Sequence, residues 1–175
     1  IIQQEAERAA NIVRNLLNFA RKQDHARRPT ELDPLLTATL TLLRTQMVSR
    51  RVDLLLDVEA GVPVIDADAG QLQQVFVNLI NNALLHAFDG ASQGLISVQA
   101  FATEPGWIDL TITDNGRGIS EENLPRIFDP FFTTKLGQGG SGLGLNIVHN
   151  LACGVLGGSI AVASQLDWGT RFSLS

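Results

Sequence analysis

The sequence is short of several residues and patterns that mark large classes of protein. A single cysteine, Cys153, excludes an internal disulfide and any cysteine-rich metal site, and its ordinary role is that of a small buried apolar residue. No apolar run reaches the roughly 18 residues of a membrane-spanning helix. The 13 lysines and arginines are outnumbered by 18 acidic residues, and the net charge of −5 disfavours a nucleic-acid binder.

The chain also lacks a signal peptide and an initiator methionine, and it begins inside a helical pattern. We therefore expect this chain to be a cytoplasmic piece of a longer protein. That longer protein, the parent, is either free or anchored to a membrane. Its 175 residues suffice for one domain with a substantial core and a smaller attached segment. A composition of 45% hydrophobic and 18% charged residues is ordinary for a globular protein.

Residues 1–22 have a pattern of their own. They contain no glycine or proline, and their apolar residues alternate steps of four and three, as in a coiled-coil seam. Ile12 and Phe19 widen the stripe, which favours a helical bundle; a helix packed on its own domain is the alternative. The polar residues 23–30 are typical of a linker, so we place a second unit at 31–175.

The unit at 31–175 has the pattern of an α+β fold, a two-layer α/β sandwich. Asp33 and Pro34 are typical of the N-cap and first residue of a helix, and Asp68 of the cap of a second helix over 69–87. Helices and strands alternate irregularly, which favours this class. A third helix is predicted over about 143–155, and strands over 52–58, 95–103, 107–114, 159–164 and 169–174.

The carboxylate of Asp114 stands in an unusual place. It ends a predicted strand in phase with the apolar residues Leu110 and Ile112, so its side chain is expected on the buried face. A carboxylate in a core is costly unless it meets hydrogen-bond donors. Asp-Asn-Gly is also common turn chemistry, so an aspartate that turns away at the strand end is the alternative.

A polar stripe and a glycine cluster accompany this acid. Asn78, Asn82 and His86 are spaced by four on the predicted helix and share one face, which is either solvated or costly to bury. The glycine cluster "GGSGLGL" at 139–145 opens the third helix, whose first amides favour anions. Together these residues indicate an adenine acceptor, a metal-binding amide and a phosphate site, with Asp114 accepting from the adenine amino group. The glycines follow a phenylalanine-rich loop, which disfavours a Rossmann fold, and no Walker A lysine motif is present.

Five short motifs occur in one order along the chain. They are "NLINNA" (78–83), "DNGRGI" (114–119), "FDPFF" (128–132), "GSGLGL" (140–145) and "GT" (169–170). Over about 31–175 the chain thereby resembles the catalytic ATP-binding domain of sensor histidine kinases, in the GHKL superfamily. Residues 1–22 resemble the second helix of the dimerisation and phosphoacceptor hairpin of these kinases. The resemblance implies a mixed sheet with three helices on one face and a mobile lid over ATP.

The resemblance also implies roles for individual residues. Asp114 would bind the adenine amino group, with an ordered water shared with Thr170. Asn82 would offer its side-chain oxygen to Mg²⁺, and Asn78 would orient the metal's water or the terminal phosphate, so these two asparagines would be catalytic. The further nucleotide-binding residues implied are Gly116, Gly118, Ile119, Gly140, Gly142, Leu143, Gly144 and Leu145.

Two residues beside the expected phosphate site each have two interpretations. Leu85 stands where many of these kinases have a lysine or arginine, and His86 either takes over that phosphate or ribose contact or is a partly buried helix-end histidine. Lys135 follows Thr133 and Thr134 at the start of the lid. It either meets the γ-phosphate or is solvated like most loop lysines.

Asn78 favours phosphoryl transfer over hydrolysis. GHKL members that hydrolyse ATP, such as gyrase, carry a glutamate there, because hydrolysis needs a base to activate water. A neutral imidazole needs little activation to attack phosphorus. None of His25, His86 and His149 has the sequence context of a phosphoacceptor, so we expect no self-labelling.

The implied function is that of the catalytic fragment of a two-component sensor histidine kinase. It would bind Mg-ATP and transfer the γ-phosphate to a histidine on a hairpin helix outside this chain. The implied partners are that acceptor helix, a response regulator receiver domain and a second copy in a homodimeric parent, with no nucleic acid. The alternatives are a degenerate nucleotide-sensing or scaffold module of the same fold, and a GHKL ATPase.

Overall fold

The computed structural model describes residues 27–88 and 93–175. The predicted helix over 1–22 and most of the predicted linker lie outside these residues. The α-helices of the described part are α1 (Leu32–Ser49), α2 (Ala69–His86) and α3 (Gly144–Asn150). Its strands are β1 (Arg28–Thr30), β2 (Val52–Val58), β3 (Ile65–Ala67), β4 (Gly94–Ala102), β5 (Ile108–Asp114), β6 (Ile160–Gln165) and β7 (Gly169–Leu174).

The strands form a five-stranded sheet and a small two-stranded one. The large sheet has the order β2-β4-β5-β7-β6, and β1 pairs with β3. The β2–β4 pair is parallel and the other pairs of the large sheet are antiparallel, so the sheet is mixed, as predicted. The predicted hairpin of 95–103 and 107–114 is confirmed as β4 and β5.

The core lies between the sheet and the helices. Alternate residues of β4, such as Ile96 and Val98, are fully buried, as period-two patterning requires. From α2, Val75, Phe76 and Ile80 pack into the same core. The α+β two-layer architecture with three helices is thereby confirmed. No helix within the described ranges is long and apolar enough to cross a bilayer.

The start of α2 follows from its cap. The Asp68 carboxylate accepts from the backbone N–H groups of Gly70 at 2.9 Å and Gln71 at 3.1 Å, and so satisfies two donors of the first turn. The predicted cap of α1 was wrong. Its N-cap is Glu31, and Asp33 lies in the first turn, where proline at the next position is also tolerated because the first N–H groups lack helical partners.

The third helix changes its winding partway along. The α-helical part ends at Asn150, and Leu151–Val155 continues with wider turns, in which the N–H of Leu156 donates to the carbonyl of Leu151 at 2.9 Å. Gly157, with φ of +77°, then ends the helix. The prediction of a helix over about 143–155 is confirmed for its extent but did not anticipate the wider turns, and the expectation that Cys153 is buried was wrong, because its side chain is exposed.

Candidate functional site

Asp114 is buried at the end of β5. Its side chain is 6% exposed, and the residue lies between Ile96 of β4 and Thr170 of β7 in the sheet register. The backbone N–H of Gly116 donates to Oδ1 at 2.9 Å, and the backbone N–H of Thr170 also donates to the carboxylate. Burial raises the pKa of Asp114, and these two hydrogen bonds lower it in part. The predicted inward orientation is confirmed.

A cavity of about 370 Å³ opens above this acid. Asp114 and Thr170 contribute to its wall from neighbouring strands, and the last turn of α2 contributes another side. Most of the wall is apolar, so a flat ring system fits it better than a phosphate. The predicted site residues that line this cavity are Asn82, His86, Asp114, Gly118, Ile119, Leu145 and Thr170.

A second cavity of about 150 Å³ adjoins the first. The two share Asn82, His86 and Leu145 in their walls, so one ligand can extend from the larger into the smaller. The smaller cavity is bounded by α2 on one side and the glycine cluster on the other. The predicted site residues that line it are Asn78, Asn82, His86, Gly140, Gly142, Gly144 and Leu145.

The amide of Asn78 has a fixed orientation. Its Nδ2 donates to the Gln74 carbonyl one turn earlier at 2.9 Å, so Oδ1 is directed away from that carbonyl. A methyl group in place of a hydrogen on Gly144 would lie 3.4 Å from this oxygen. The Asn78 amide oxygen therefore faces the glycine cluster across the smaller cavity.

The smaller cavity fits a magnesium ion that arrives with a nucleotide. Its wall carries the amides of Asn78, Asn81 and Asn82 and no carboxylate. Within 27–88 and 93–175 no group of three or more His, Cys, Asp or Glu side chains is placed to hold a metal ion. Mg²⁺ commonly keeps several waters and takes one or two protein oxygens together with substrate phosphates. A single amide oxygen beside a phosphate chain meets that requirement.

The two glycines of "DNGRG" are needed for contacts within the protein. A Cβ on Gly116 would collide with Ala87 at the end of α2. Gly118 has φ of +71°, and its Cβ would collide with the carbonyl of Gln165, the last residue of β6. Glycine at these positions thus lets the loop lie against α2 and the β6–β7 turn, and Gly118 in addition lines the larger cavity.

Three predicted site residues lie outside the walls of both cavities: Gly116, Leu143 and Lys135. Gly116 still acts on the site, through its hydrogen bond to Asp114. Leu143 belongs to the hydrophobic core. Lys135 is 7% exposed, so the expectation of a solvated loop lysine was wrong. Its backbone carbonyl accepts from the N–H groups of Gln138 and Gly140, which closes a tight turn around it.

His86 is the last residue of α2 and lines both cavities. It is half-buried, and its Nδ1 is 3.4 Å from the Thr134 hydroxyl. Among the phenylalanines of "FDPFF", Phe128 packs on Phe172 of the core, with ring centroids 6.5 Å apart. Phe131, in contrast, is 62% exposed, so the phenylalanines of this motif are not equivalent.

Several wall residues were missed by the sequence analysis. Leu166 and Asp167 reach the larger cavity from the turn between β6 and β7, and Arg117 and Ser120 reach it from the loop after β5. Leu166 and Asp167 carry no sequence signal, because only strand pairing brings their turn against Gly118. Asn81 is next to a predicted site residue and could have been included on that ground.

The fold and this site define a class of protein. A mixed sheet under three helices, with a buried acid below a cavity that continues between amides and a glycine cluster, is the arrangement of an ATP-binding catalytic domain. The family model described as "Histidine kinase-, DNA gyrase B-, and HSP90-like ATPase" matches residues 67–175. The chain belongs to this family.

Named relatives narrow the resemblance to sensor histidine kinases. The sensor histidine kinase ZraS of Escherichia coli K12 is 36% identical over 174 residues, which cover 99% of this chain and 36% of ZraS. The structure of full-length ShkA in complex with AMPPNP is similar with a TM-score of 0.82 and 27% identity, over 97% of this chain and 36% of that one. The chain thus spans about a third of the length of such relatives.

A third structure is similar in fold alone. Histidine kinase ThkA, solved in complex with the response regulator TrrA, has a TM-score of 0.77 and 23% identity, over 99% of this chain and 48% of that one. The catalytic ATP-binding domain expected from the five motifs is confirmed by the family match and by the curated histidine kinases together.

Proposed function

We propose that this chain is the ATP-binding catalytic part of a sensor histidine kinase, and that its parent transfers the γ-phosphoryl group of Mg-ATP to a histidine side chain. The observation that carries the proposal is the burial of Asp114 beneath a cavity that continues to the asparagines of α2. An inward acid at the base of an apolar cavity suits a purine amino group, and the amides beyond it suit a hydrated metal and phosphates.

The adenine end of the ligand is recognised by acceptors. Asp114 in its ionised form accepts from the amino group at position 6, while its other bonds, from the N–H groups of Gly116 and Thr170, hold the carboxylate in place. A carboxylate fixed by backbone donors loses little freedom when the base binds. The apolar walls from Ile119 and Leu145 cover the faces of the ring.

The phosphate end is held by the smaller cavity. Asn82 offers an amide oxygen to Mg²⁺, which when bound neutralises phosphate charge and orients the γ-phosphoryl group. The lack of a Cβ at Gly144 leaves room for phosphates beside the backbone, whereas at Gly142 it lets the glycine cluster lie against the backbone of Phe131. Asn78, held by the Gln74 carbonyl, directs its oxygen towards water or donors in this cavity. Phosphoryl transfer then depends on positioning and charge neutralisation.

The lining of the smaller cavity favours transfer over hydrolysis. Hydrolysis needs a base that takes a proton from water, and the described wall contains no carboxylate at Asn78 or beside it. An attacking imidazole in its neutral form already carries its lone pair and needs no such base. The acceptor histidine would approach from the open γ-phosphate side.

The partners follow from the reaction. The parent would supply the acceptor histidine on a helical hairpin, of which 1–22 would be the second helix, and would act as a homodimer. The phosphoryl group would pass on to a response regulator receiver domain, as the ThkA–TrrA complex suggests by analogy of fold. ATP and such a receiver are met in the cytoplasm, where we place this domain, whether or not the parent is anchored to a membrane.

Phosphotransfer to a separate hairpin tests the proposal. The full chain is mixed with γ-labelled ATP, Mg²⁺ and a helical hairpin that carries a histidine in the context His-Glu-Leu-Arg-Asn-Pro. We expect acid-labile, base-stable label on the hairpin and none on the chain, and we expect Asn82→Ala to reduce the rate at least tenfold. ATP binding without transfer would favour a nucleotide-sensing module, and steady phosphate release without the hairpin would favour an ATPase.

A further inference from the structure

Ser164 of β6 joins three parts of the site through one hydroxyl group. The backbone N–H of Ile119 donates to its Oγ at 2.8 Å. The same Oγ donates to the Gly169 carbonyl at 2.9 Å and lies 2.9 Å from the Thr170 hydroxyl. Ser164 itself is half-buried and does not line the cavity, whereas Ile119 and Thr170 do.

Counting protons fixes the direction of the Ser164–Thr170 bond. A serine hydroxyl has one proton and two lone pairs. The Gly169 carbonyl can only accept, so the Ser164 proton belongs to that bond. The bond to Thr170 can coexist with it only if Thr170 donates. Ser164 then donates once and accepts twice, which uses its full capacity.

This arrangement decides what Thr170 shows to the cavity. Its single proton is taken up by Ser164, so its hydroxyl oxygen offers only lone pairs to a ligand. Thr170 is the register partner of Asp114, whose carboxylate is also an acceptor. The edge of the base therefore faces two neighbouring acceptors, which suit the two hydrogens of an exocyclic amino group, directly or through one water.

We propose that Ser164 is a positioning residue for base selection, because it holds the Thr170 hydroxyl as an acceptor and so disfavours purines with an oxo group at position 6. The inference rests on the proposed ATP-binding function. Without Ser164, Thr170 regains a proton that it can donate to an oxo group. The loss of Ser164 should then weaken the preference for ATP over inosine triphosphate (ITP). This effect on the ratio of the two affinities is separate from any general loosening of the loop at Ile119.

The test is a double-mutant cycle on the full chain. Dissociation constants for Mg-ATP and Mg-ITP are measured by calorimetric titration for the unchanged chain, Ser164→Ala, Thr170→Val and the double variant. We expect Ser164→Ala to narrow the ATP-to-ITP preference about fivefold, the effect of one net hydrogen bond. In the Thr170→Val background the same substitution should leave the preference unchanged.

The outcomes separate the inference from the proposed function. If Ser164→Ala lowers both affinities by the same factor, or narrows the preference equally in both backgrounds, Ser164 only supports the loop and the inference fails while ATP binding stands. If the unchanged chain binds neither nucleotide, the proposed function fails and the inference with it. Thermal unfolding of each variant checks that the compared proteins are folded.

Discussion

Asp114 meets two opposing demands at the scale of a single residue. Burial disfavours its charge, whereas the proposed binding of an amino group requires that charge. The two N–H groups that donate to the carboxylate limit the conflict without removing it, since the pKa remains raised. The ionised carboxylate of Asp114 therefore lowers the stability of the folded domain at neutral pH, at a position that lines the larger cavity.

Asp114→Asn should stabilise the empty domain at neutral pH. Because the folded pKa lies above the unfolded value of 3.8, the protonated acid is favoured by folding. That stabilisation is fully present below 3.8 and is lost as the pH rises through the raised pKa. An asparagine at this position carries no charge at pH 7 or at pH 3.5. Urea unfolding should give a larger free energy of unfolding for the variant than for the original chain at pH 7. The difference between the two free energies should shrink as the pH falls towards 3.5.

One result would contradict the predicted stabilisation. A variant that is less stable than the original by the same amount at both pH values would show that the carboxylate is a purely structural acceptor. Asp109→Asn makes the same exchange on the same strand, with its side chain on the other face, and is the matched control.

Some residues could be assigned from the sequence and others could not. The phase of Asp114 followed from alternation along one strand, and the face shared by Asn78 and Asn82 from helical spacing, because both are local rules. The burial of Lys135 could not be foreseen, since it depends on a loop turn closed by Gln138 and Gly140. Ser164 gave no signal, because its partners lie on a distant loop and on the next strand.

At the scale of elements, the loop after β5 is held against the β6–β7 turn. The N–H of Asp167 donates to the Arg117 carbonyl at 2.9 Å, and Gly118 leaves no room for a side chain beside Gln165. This contact sets the distance between two walls of the larger cavity. The sequence predicted both segments but not their contact, because the pairing of β5 with β7 joins strands far apart in the chain.

Gly118→Ala should destabilise the domain more than Gly106→Ala. Both glycines have positive φ, +71° and +87°, so each substitution carries a backbone penalty of about 1 kcal/mol. At Gly118 the new Cβ also collides with the backbone carbonyl of Gln165. At Gly106 no atom lies within 4 Å of the new Cβ. Chemical denaturation should give a loss of about 3 kcal/mol or more for Gly118→Ala. Equal losses for the two variants would contradict the proposed contact.

At the scale of the whole molecule, the sheet and helices bring distant segments to one place. The larger cavity has walls from β5, β7 and the β6–β7 turn, and the smaller cavity has walls from α2 and the glycine cluster. The five motifs predicted most of these segments but not the β6–β7 turn, which lies outside all of them. They did not predict the two adjoining cavities, whose shapes depend on packing between all of these elements.

We infer that Asp114 selects the amino group of adenine. The most direct test is calorimetric titration of the full chain and of Asp114→Asn with Mg-ATP and with the triphosphate of purine riboside, which lacks that amino group. We expect the unchanged chain to bind ATP about tenfold or more tightly than the other nucleotide, because a hydrogen bond to a charged group contributes that much. The variant should lose this preference by binding ATP more weakly. Unchanged ATP affinity in the variant, or equal binding of both nucleotides by the original chain, would contradict this inference.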